Sequence, residues 1–363
     1  MAPERLVDGE VDGRHPAAAE LGLQPVAAGE HRSDHRAAQL VGTEAGSDAV
    51  ITRVFWPNAC AADATAAVRR KACVRAPPID IDPVEVRVVT DPACAWSWAS
   101  EPKLRRLAWE FGDRLRWRWV MGGMVREVGP SQRARYARIW PNVAAESGMP
   151  FDPRLGSDGG IESSYPACQA AVAAAEQGAA AGDAYLRRLR SGLMYGRRRL
   201  DRISALLAEA DALDGRGLDR ERFEIDLRSD AILERFAAGL EEARRIPEQA
   251  RAENATGCTG PIERVTFPSL TFVAADGARR GVYGWQPYEL YVEAAAASGA
   301  GDAGPPAPDP LAVIDRFGTC ATREIEEVCR LPRAEVEATL WALARDGELA
   351  VETAMTGSLW NRV

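Results

Sequence analysis

The sequence predicts an α/β fold, and three segments near the middle of the chain indicate this class. Residues 84–90 alternate apolar and polar side chains, which is typical of a β-strand. Residues 104–111 carry apolar side chains at helical spacing, and residues 115–121 alternate again. A strand–helix–strand unit of this size joins parallel strands by a right-handed crossover, so the two strands are expected to be parallel neighbours.

Length and charge narrow the class of protein. The 363 residues leave room for two or more domains, and the net charge is −8. That balance disfavours general binding to nucleic acid or to anionic membranes, since both rely on a basic surface. No apolar run approaches the roughly 20 residues of a membrane-spanning helix, and residues 1–40 lack the apolar core of a secretory signal. We therefore expect a cytoplasmic protein that does not bind membranes.

The cysteine and histidine positions disfavour several kinds of site. An odd number of scattered cysteines, without a repeated Cys-x-x-Cys pair, argues against a disulfide framework and a zinc site. The seven are Cys60, Cys73, Cys94, Cys168, Cys258, Cys320 and Cys329. All three histidines lie within residues 1–35, so the rest of the chain offers no histidine triad, cysteine–histidine pair or histidine metal site. No metal is expected.

Cys94 is the candidate reactive residue. It follows the first predicted strand and a short Asp-Pro turn, which places it in the first turn of the next helix. The free N–H groups and the positive dipole end at that position favour a thiolate, so we expect a lowered pKa and a nucleophilic sulfur. The alternative interpretation is a small buried apolar side chain, the usual state of a free cysteine.

The segment 91–98, together with Glu101 and Pro102, resembles the active-site segment of the DsbA-like thioredoxin-fold family. The resemblance is to its cytoplasmic branch, which includes polyketide-pathway oxidoreductases and protease-adaptor proteins. That branch usually has Cys-Pro-Trp-Cys, whereas this chain has Cys94-Ala95-Trp96-Ser97. Ser97 cannot resolve a mixed disulfide, but its hydroxyl is expected to stabilise the Cys94 thiolate. Pro102 is expected to kink the helix that contains it.

The resemblance also assigns roles downstream. Residues 126–259 have a helical pattern and correspond to the helical insertion of the family, where 162–168 resembles a family element. Residues 264–273 have a strand pattern interrupted by Pro268, which matches the cis-proline opposite the active-site cysteine. The resemblance implies substrate contacts for four neighbours of these positions, namely Trp96, Trp98, Phe267 and Ser269. Cys168 and Cys258 are candidate distant resolving thiols, with a buried helical cysteine as the alternative for Cys168.

The two ends of the chain differ from the middle. The predicted fold is a thioredoxin fold with a large helical insertion and a small C-terminal domain that resembles a winged helix-turn-helix. That domain has six basic and nine acidic residues over 311–363, which favours protein contact over DNA reading. The N-terminal extension is expected to be disordered or a mis-assigned start. The predicted divisions are 1–82 (extension), 83–125 with 260–297 (thioredoxin-like domain), 126–259 (helical insertion), 298–310 (linker) and 311–363 (winged-helix-like domain).

Three functions are compatible with these residues. The first is a monothiol thiol-disulfide oxidoreductase or isomerase that uses Cys94 as nucleophile, Ser97 as thiolate stabiliser and Pro268 to shape the substrate groove. The second is a glutathione-dependent isomerase or transferase of the 2-hydroxychromene-2-carboxylate isomerase or kappa type. The third is a non-catalytic adaptor. No bound cofactor is expected, glutathione or another small thiol is the expected co-substrate, and the expected partner is a protein or small molecule with a thiol or disulfide.

Overall fold

A four-stranded mixed sheet forms the centre of the protein in this computed structural model, which describes residues 82–363 except 158, 159 and 216. The strand order is β2 (Leu115–Met121), β1 (Val84–Thr90), β5 (Ser269–Val273) and β6 (Arg279–Tyr283). β1 and β2 are parallel, as the sequence predicts, and the other neighbours are antiparallel. This sheet and its covering helices form the thioredoxin fold.

The segment between β1 and β2 holds two helices instead of one kinked helix. α1 (Ala95–Ala99) ends at Ser100, and α2 (Glu101–Phe111) begins directly afterwards. Pro102 lies in the first turn of α2, where a missing N–H breaks no helical hydrogen bond. The expected kink at the turn after Pro102 is therefore wrong: the interruption lies before the proline.

The helical layer inserted between β2 and the next sheet strand ends earlier than the sequence pattern suggests. Its helices are α3 (Pro130–Ser147), α4 (Arg154–Ser157), α5 (Tyr165–Ala175), α6 (Ala179–Met194), α7 (Ile203–Asp211), α8 (Arg220–Leu227), α9 (Asp230–Arg244) and α10 (Glu248–Ala252). Residues 256–265 form a hairpin of β3 (Thr256–Thr259) and β4 (Ile262–Val265). Strand structure thus begins before residue 259, where the helical insertion was predicted to end.

The predicted strand 264–273 is divided by its proline. Arg264 and Val265 end β4, whereas β5 begins only at Ser269. Pro268 has no N–H to donate to a ladder, and the Phe267–Pro268 peptide bond between the two strands is cis. The strand before the proline therefore pairs in the hairpin, and the strand after it pairs with β1.

Apolar packing covers both faces of the central sheet. On one face, α2 and α11 (Tyr288–Ala295) bury a cluster that includes Leu107, Phe272 and Tyr291 with sheet side chains. A separate cluster fills the helical layer and includes Trp98 of α1. Each fully buried large side chain contributes roughly 1.5–3 kcal/mol. The sheet thereby fixes the position of α1, which begins immediately after Cys94.

The C-terminal part consists of α12 (Pro310–Phe317), β7 (Cys320–Ala321), α13 (Thr322–Cys329), α14 (Arg333–Arg345), β8 (Leu349–Ala354) and β9 (Gly357–Arg362). The three strands form one small sheet in the order β7, β9, β8, which is compatible with a winged helix. The predicted linker lies along the rest of the fold, because the Gly304 N–H donates to the Glu110 carbonyl and Ala307 is buried.

The N-terminal extension, with its three histidines, Cys60 and Cys73, lies outside the described residues. The division of the chain into domains stays a prediction. Within the described part of the chain, none of the helices has the length and apolarity needed to cross a membrane.

Candidate functional site

Cys94 lies at the N-terminus of α1, where the sequence places it. Its backbone is extended, its N–H donates to the Asp91 carbonyl at 3.1 Å, and its carbonyl accepts from the Trp98 N–H at 3.1 Å. The helix that it begins has only five residues. Because the macrodipole sums over aligned peptide units, so short a helix offers the sulfur limited electrostatic stabilisation.

The cis-proline loop faces this sulfur although 173 positions separate the two segments. The Cys94 Sγ donates to the Phe267 carbonyl at 3.7 Å, next to the cis bond that leads to Pro268. On its other side, Pro268 is anchored to the end of β6, because its carbonyl accepts from the Gly284 N–H at 2.8 Å. The fold therefore brings together Cys94 and Pro268, the pair on which the sequence-based hypothesis rests.

Ser97 connects the sulfur to a buried chain of hydrogen bonds. Arg190 Nη2 donates to Thr90 Oγ1 at 2.7 Å, and Thr90 Oγ1 donates to Ser97 Oγ at 2.8 Å. Ser97 in turn bonds to Cys94 through both its hydroxyl and its backbone N–H. Each donor in this series of hydrogen bonds is directed toward the sulfur. Ser97 therefore has the geometry of a thiolate stabiliser.

Burial nevertheless decides the protonation of Cys94. The residue is 5% exposed, and this desolvation raises the pKa of its thiol, with Asp91 adding to the effect and the Ser97 hydrogen bonds opposing it. The lowered pKa expected from the helix position is therefore wrong. Cys94 lies in an apolar cluster that contains Phe267. The stabilisation that a short helix and one serine give to a thiolate does not offset the loss of hydration in that cluster.

Asp91 is a buried carboxylate for which the sequence pattern predicted no role. Its Oδ1 accepts from the Ala93 N–H at 2.8 Å, and its Oδ2 accepts from the Met124 N–H at 2.5 Å and the Ser164 hydroxyl at 2.7 Å. It thereby joins the segment before Cys94 to the start of α5. An acidic residue in a turn directly after a strand was the available signal for this role.

Cys168 contacts this carboxylate. Its Sγ donates to Asp91 Oδ2 at 3.2 Å, and burial followed by the Asp91 charge raises its pKa well above the ordinary value. The residue is completely buried in the helical layer. This environment favours the buried-cysteine interpretation over a resolving thiol. Cys258, the other candidate resolving thiol, is exposed in the β3–β4 hairpin, opposite Glu263.

Arg264 is a second charged residue that the sequence analysis missed. Its guanidinium packs over the Phe267 ring at 3.9 Å and donates to Thr259 Oγ1 at 3.0 Å. Burial lowers its pKa, while the nearby Cys94 and Asp91 raise it. Tyr136 of α3 belongs to the same surroundings, since burial and these two groups raise its pKa to about 12. A cation inside an otherwise apolar strand segment was the only sequence signal for Arg264.

The four predicted substrate-contact residues differ in accessibility. Trp96 is half-buried and packs against the Trp285 ring at a centroid distance of 5.5 Å. Trp98 is fully enclosed, and its indole N–H donates to the Pro150 carbonyl at 2.9 Å. Phe267 is buried, and the Ser269 hydroxyl donates to Thr266. Trp96 alone of the four presents part of its side chain to solvent, so a substrate role for Trp98 has no accessible surface to support it.

Within the described part of the chain, no cluster of three or more His, Cys, Asp and Glu residues that could hold a metal ion occurs. The five described cysteines are all free thiols. What the arrangement provides is one protonated thiol, a buried hydrogen-bond chain and the backbone of a cis-proline loop.

Several known proteins are similar to this chain in sequence. Residues 88–246 match the sequence profile of a family described as thioredoxin. A relative from Halalkalibacterium halodurans, named ClpXP adapter protein SpxH, is 28% identical over 221 residues, which cover 58% of this chain and 66% of that protein. A relative of the same name from Bacillus licheniformis is 26% identical over 286 residues, which cover 77% of this chain and 89% of that protein.

Solved structures are also similar to this chain, and one of them is a disulfide reductase. The cytosolic disulfide reductase DsbM from Pseudomonas aeruginosa is 24% identical, with a TM-score of 0.44, over 57% of this chain and 94% of that chain.

Proposed function

We propose that this chain, which belongs to the DsbA-like thioredoxin-fold family, is an adaptor that binds a partner protein without using thiol chemistry. The observation that carries the proposal is the state of Cys94. The thiol is enclosed, burial raises its pKa, and serine stands where the family has its resolving cysteine. Thiol–disulfide exchange requires a thiolate that a disulfide can reach, and both conditions are weakened here.

The names of the relatives support the same proposal. Two proteins that match this chain over 58% and 77% of its length are named ClpXP adapters. We infer that this chain likewise presents a protein to an ATP-dependent protease. We further propose a cytoplasmic location, since its five described cysteines are free thiols, as a reducing compartment maintains them.

The C-terminal part fits protein contact better than DNA contact. Its acidic excess opposes phosphate binding. It is also joined to the thioredoxin part by ion pairs between α2 and α13, including Arg106 Nη1 to Glu327 Oε1 at 2.8 Å. We propose that the two parts present one continuous surface to a partner.

The test measures protein turnover in the organism that encodes the chain. Cells that lack the gene, cells that lack the ClpP peptidase and parental cells are compared by pulsed isotope labelling and mass spectrometry. We expect the same set of proteins to persist longer in both deletion strains, and the wild-type gene and a Cys94→Ser gene to restore degradation equally. Purified chain should then accelerate ATP-dependent degradation of one of these proteins by ClpXP. A set that is absent, or that depends on the Cys94 thiol, contradicts the proposal.

A monothiol oxidoreductase is the second candidate, because the Cys94 sulfur does face the carbonyl before the cis-proline at 3.7 Å. In that reaction the Cys94 thiolate attacks a disulfide, forms a mixed disulfide and releases one thiolate. A small thiol such as glutathione then attacks the substrate sulfur of the mixed disulfide. This step releases the Cys94 thiolate and leaves the small thiol joined to the substrate by a disulfide. Reduction of a glutathionylated peptide by the purified chain, lost in Cys94→Ala, would favour this candidate over the adaptor.

A further inference from the structure

A cavity lies apart from Cys94 and the cis-proline. It has a volume of about 340 Å³ and lies between α2, β2, α6 and the end of α12. This volume is at the small end of the range for ligand pockets, roughly 300–1,000 Å³. Its walls combine aromatic rings and guanidinium groups, and no role described above for the thioredoxin fold requires that combination.

The aromatic wall is formed by alternate residues of β2. Trp117 and Trp119 are both half-buried, and their rings stack at a centroid distance of 6.1 Å and an interplanar angle of 18°. The Arg190 guanidinium lies over the Trp119 ring at 5.1 Å from its centroid, and the Trp119 indole N–H donates to Asp183. Phe317 at the end of α12 adds a third ring to the lining. Such a wall fits a flat apolar group.

The polar wall is formed by arginines of α2, α6 and α12. Arg187 and Arg190 use their terminal nitrogens in ion pairs and hydrogen bonds, with Glu324 and with Glu101 and Thr90 respectively. The Nε–H groups of both are buried, yet they have no acceptor among the described residues. Arg190 is 1% exposed. These two N–H groups have no accessible surface, so a molecule in the cavity would not reach them. Arg316 of α12 is the exposed arginine among those that line the cavity.

The charges around the cavity do not cancel. Four guanidinium groups line it, from Arg105, Arg187, Arg190 and Arg316. The carboxylates are Glu101 and Asp183 in the lining and Glu324 behind it, where Glu324 pairs with Arg105 and Arg187. One positive charge is therefore in excess, and a ligand with a single negative charge would balance it.

We propose that this cavity binds a small aromatic carboxylate, whose ring packs on the indoles of Trp117 and Trp119 and whose carboxylate pairs with the guanidinium groups of the lining. The ion-pair network alone does not account for these features. Attachment of the C-terminal part explains the pairing of Arg187 with Glu324, but it accounts neither for the stacked indoles nor for the positive charge in excess. A phosphate dianion would overcompensate the charge, and a neutral ring would leave the positive charge unbalanced.

Binding is tested with the full chain by calorimetry and by quenching of tryptophan fluorescence, with naphthoate as the probe. Naphthamide keeps the ring but lacks the charge, and cyclohexanecarboxylate keeps the charge but lacks the aromatic ring. We expect each analogue to bind about tenfold more weakly than naphthoate, since each loses a charged hydrogen bond or the ring stacking. Equal binding of naphthamide, or no binding of naphthoate, would overturn the proposal.

Variants locate the site. Trp117→Leu should weaken naphthoate binding about fivefold, from the lost ring contact. Arg316→Gln should weaken it about threefold, and this exposed residue lies outside the buried ion-pair network, so the variant should fold even if Trp117→Leu does not. The matched controls are Trp341→Leu and Arg345→Gln, an exposed tryptophan and an exposed arginine of α14, which should bind as the wild type. Unchanged affinity in Arg316→Gln, or equal losses in the controls, contradicts this assignment.

Discussion

Glu324 holds the C-terminal part against the thioredoxin part, and removing its charge should destabilise the whole folded unit. Its side chain is 0% exposed. The carboxylate accepts two hydrogen bonds of 2.8 Å from Arg187 of α6, and it pairs with Arg105 Nε of α2 at 3.0 Å. It also accepts from the Ala321 N–H at 2.6 Å and so caps its own helix. One carboxylate thus joins three helices.

The expected loss in the free energy of unfolding follows from the contacts that glutamine retains at position 324. The Glu324→Gln side chain has the same shape and one acceptor oxygen, so the bond to the Ala321 N–H is preserved. Its amide group would face the guanidinium of Arg187 or Arg105 with donors instead of an acceptor, and one positive charge would be left buried. Breaking a buried pair in this way costs about 3–5 kcal/mol, and we expect about 3 kcal/mol because Glu101 still pairs with the same arginines.

The free energy of unfolding is measured by guanidinium denaturation followed by circular dichroism. The matched control is Glu337→Gln, which removes an exposed pair with Arg333 on α14 and should change stability by less than about 1 kcal/mol. The double variant Glu324→Gln/Arg187→Gln should regain part of the loss, since it removes the excess charge. Equal stabilities of Glu324→Gln and Glu337→Gln would refute the reasoning.

Three further outcomes are expected. Burial raises the pKa of Cys94, so its alkylation rate should rise at higher pH than that of a short peptide with the same cysteine. The rate is followed by peptide mass spectrometry, and a rise at lower pH than in the peptide would contradict this. Replacing a glycine by alanine usually stabilises a helix, but a Cβ at position 239 would lie 2.8 Å from the Met121 carbonyl oxygen. Gly239→Ala should therefore destabilise the protein by about 1–3 kcal/mol in thermal unfolding, and a gain in stability would contradict this. Burial lowers the pKa of Lys103 to about 8, so NMR of methyl-labelled amines in a Lys71→Arg background should show a titration near that pH, and one near the ordinary lysine value would refute it.

The sequence was sufficient for the elements whose pattern is local. The strand 84–90 and the second strand 115–121 were predicted at their observed bounds, because alternation requires no knowledge of neighbours. The strand 264–273 was not predicted correctly as one element. Its division depends on which strand each half pairs with, and pairing is a property of the tertiary fold.

The candidate site was predictable only in part. Cys94, Ser97 and Pro268 stand out through their local pattern and the family resemblance, and the fold brings the first and last together. Asp91, Arg190 and Arg264 were not foreseen, because their roles arise from contacts between segments that are far apart in sequence. Ser97, which hydrogen-bonds the sulfur, was predicted, whereas the charges of Asp91 and Arg264 that act on it were not.

By itself, the sequence determined the strand–helix–strand order of residues 84–121, the position of Cys94 at a helix start and the serine that replaces a second cysteine. Only the tertiary structure decided how that sulfur behaves. The helix start favours a thiolate, but the apolar side chains and the loop packed around Cys94 remove its hydration, and this burial raises the pKa of the thiol. Desolvation depends on every segment that closes over an atom, so it cannot be read from the residues beside that atom in the chain.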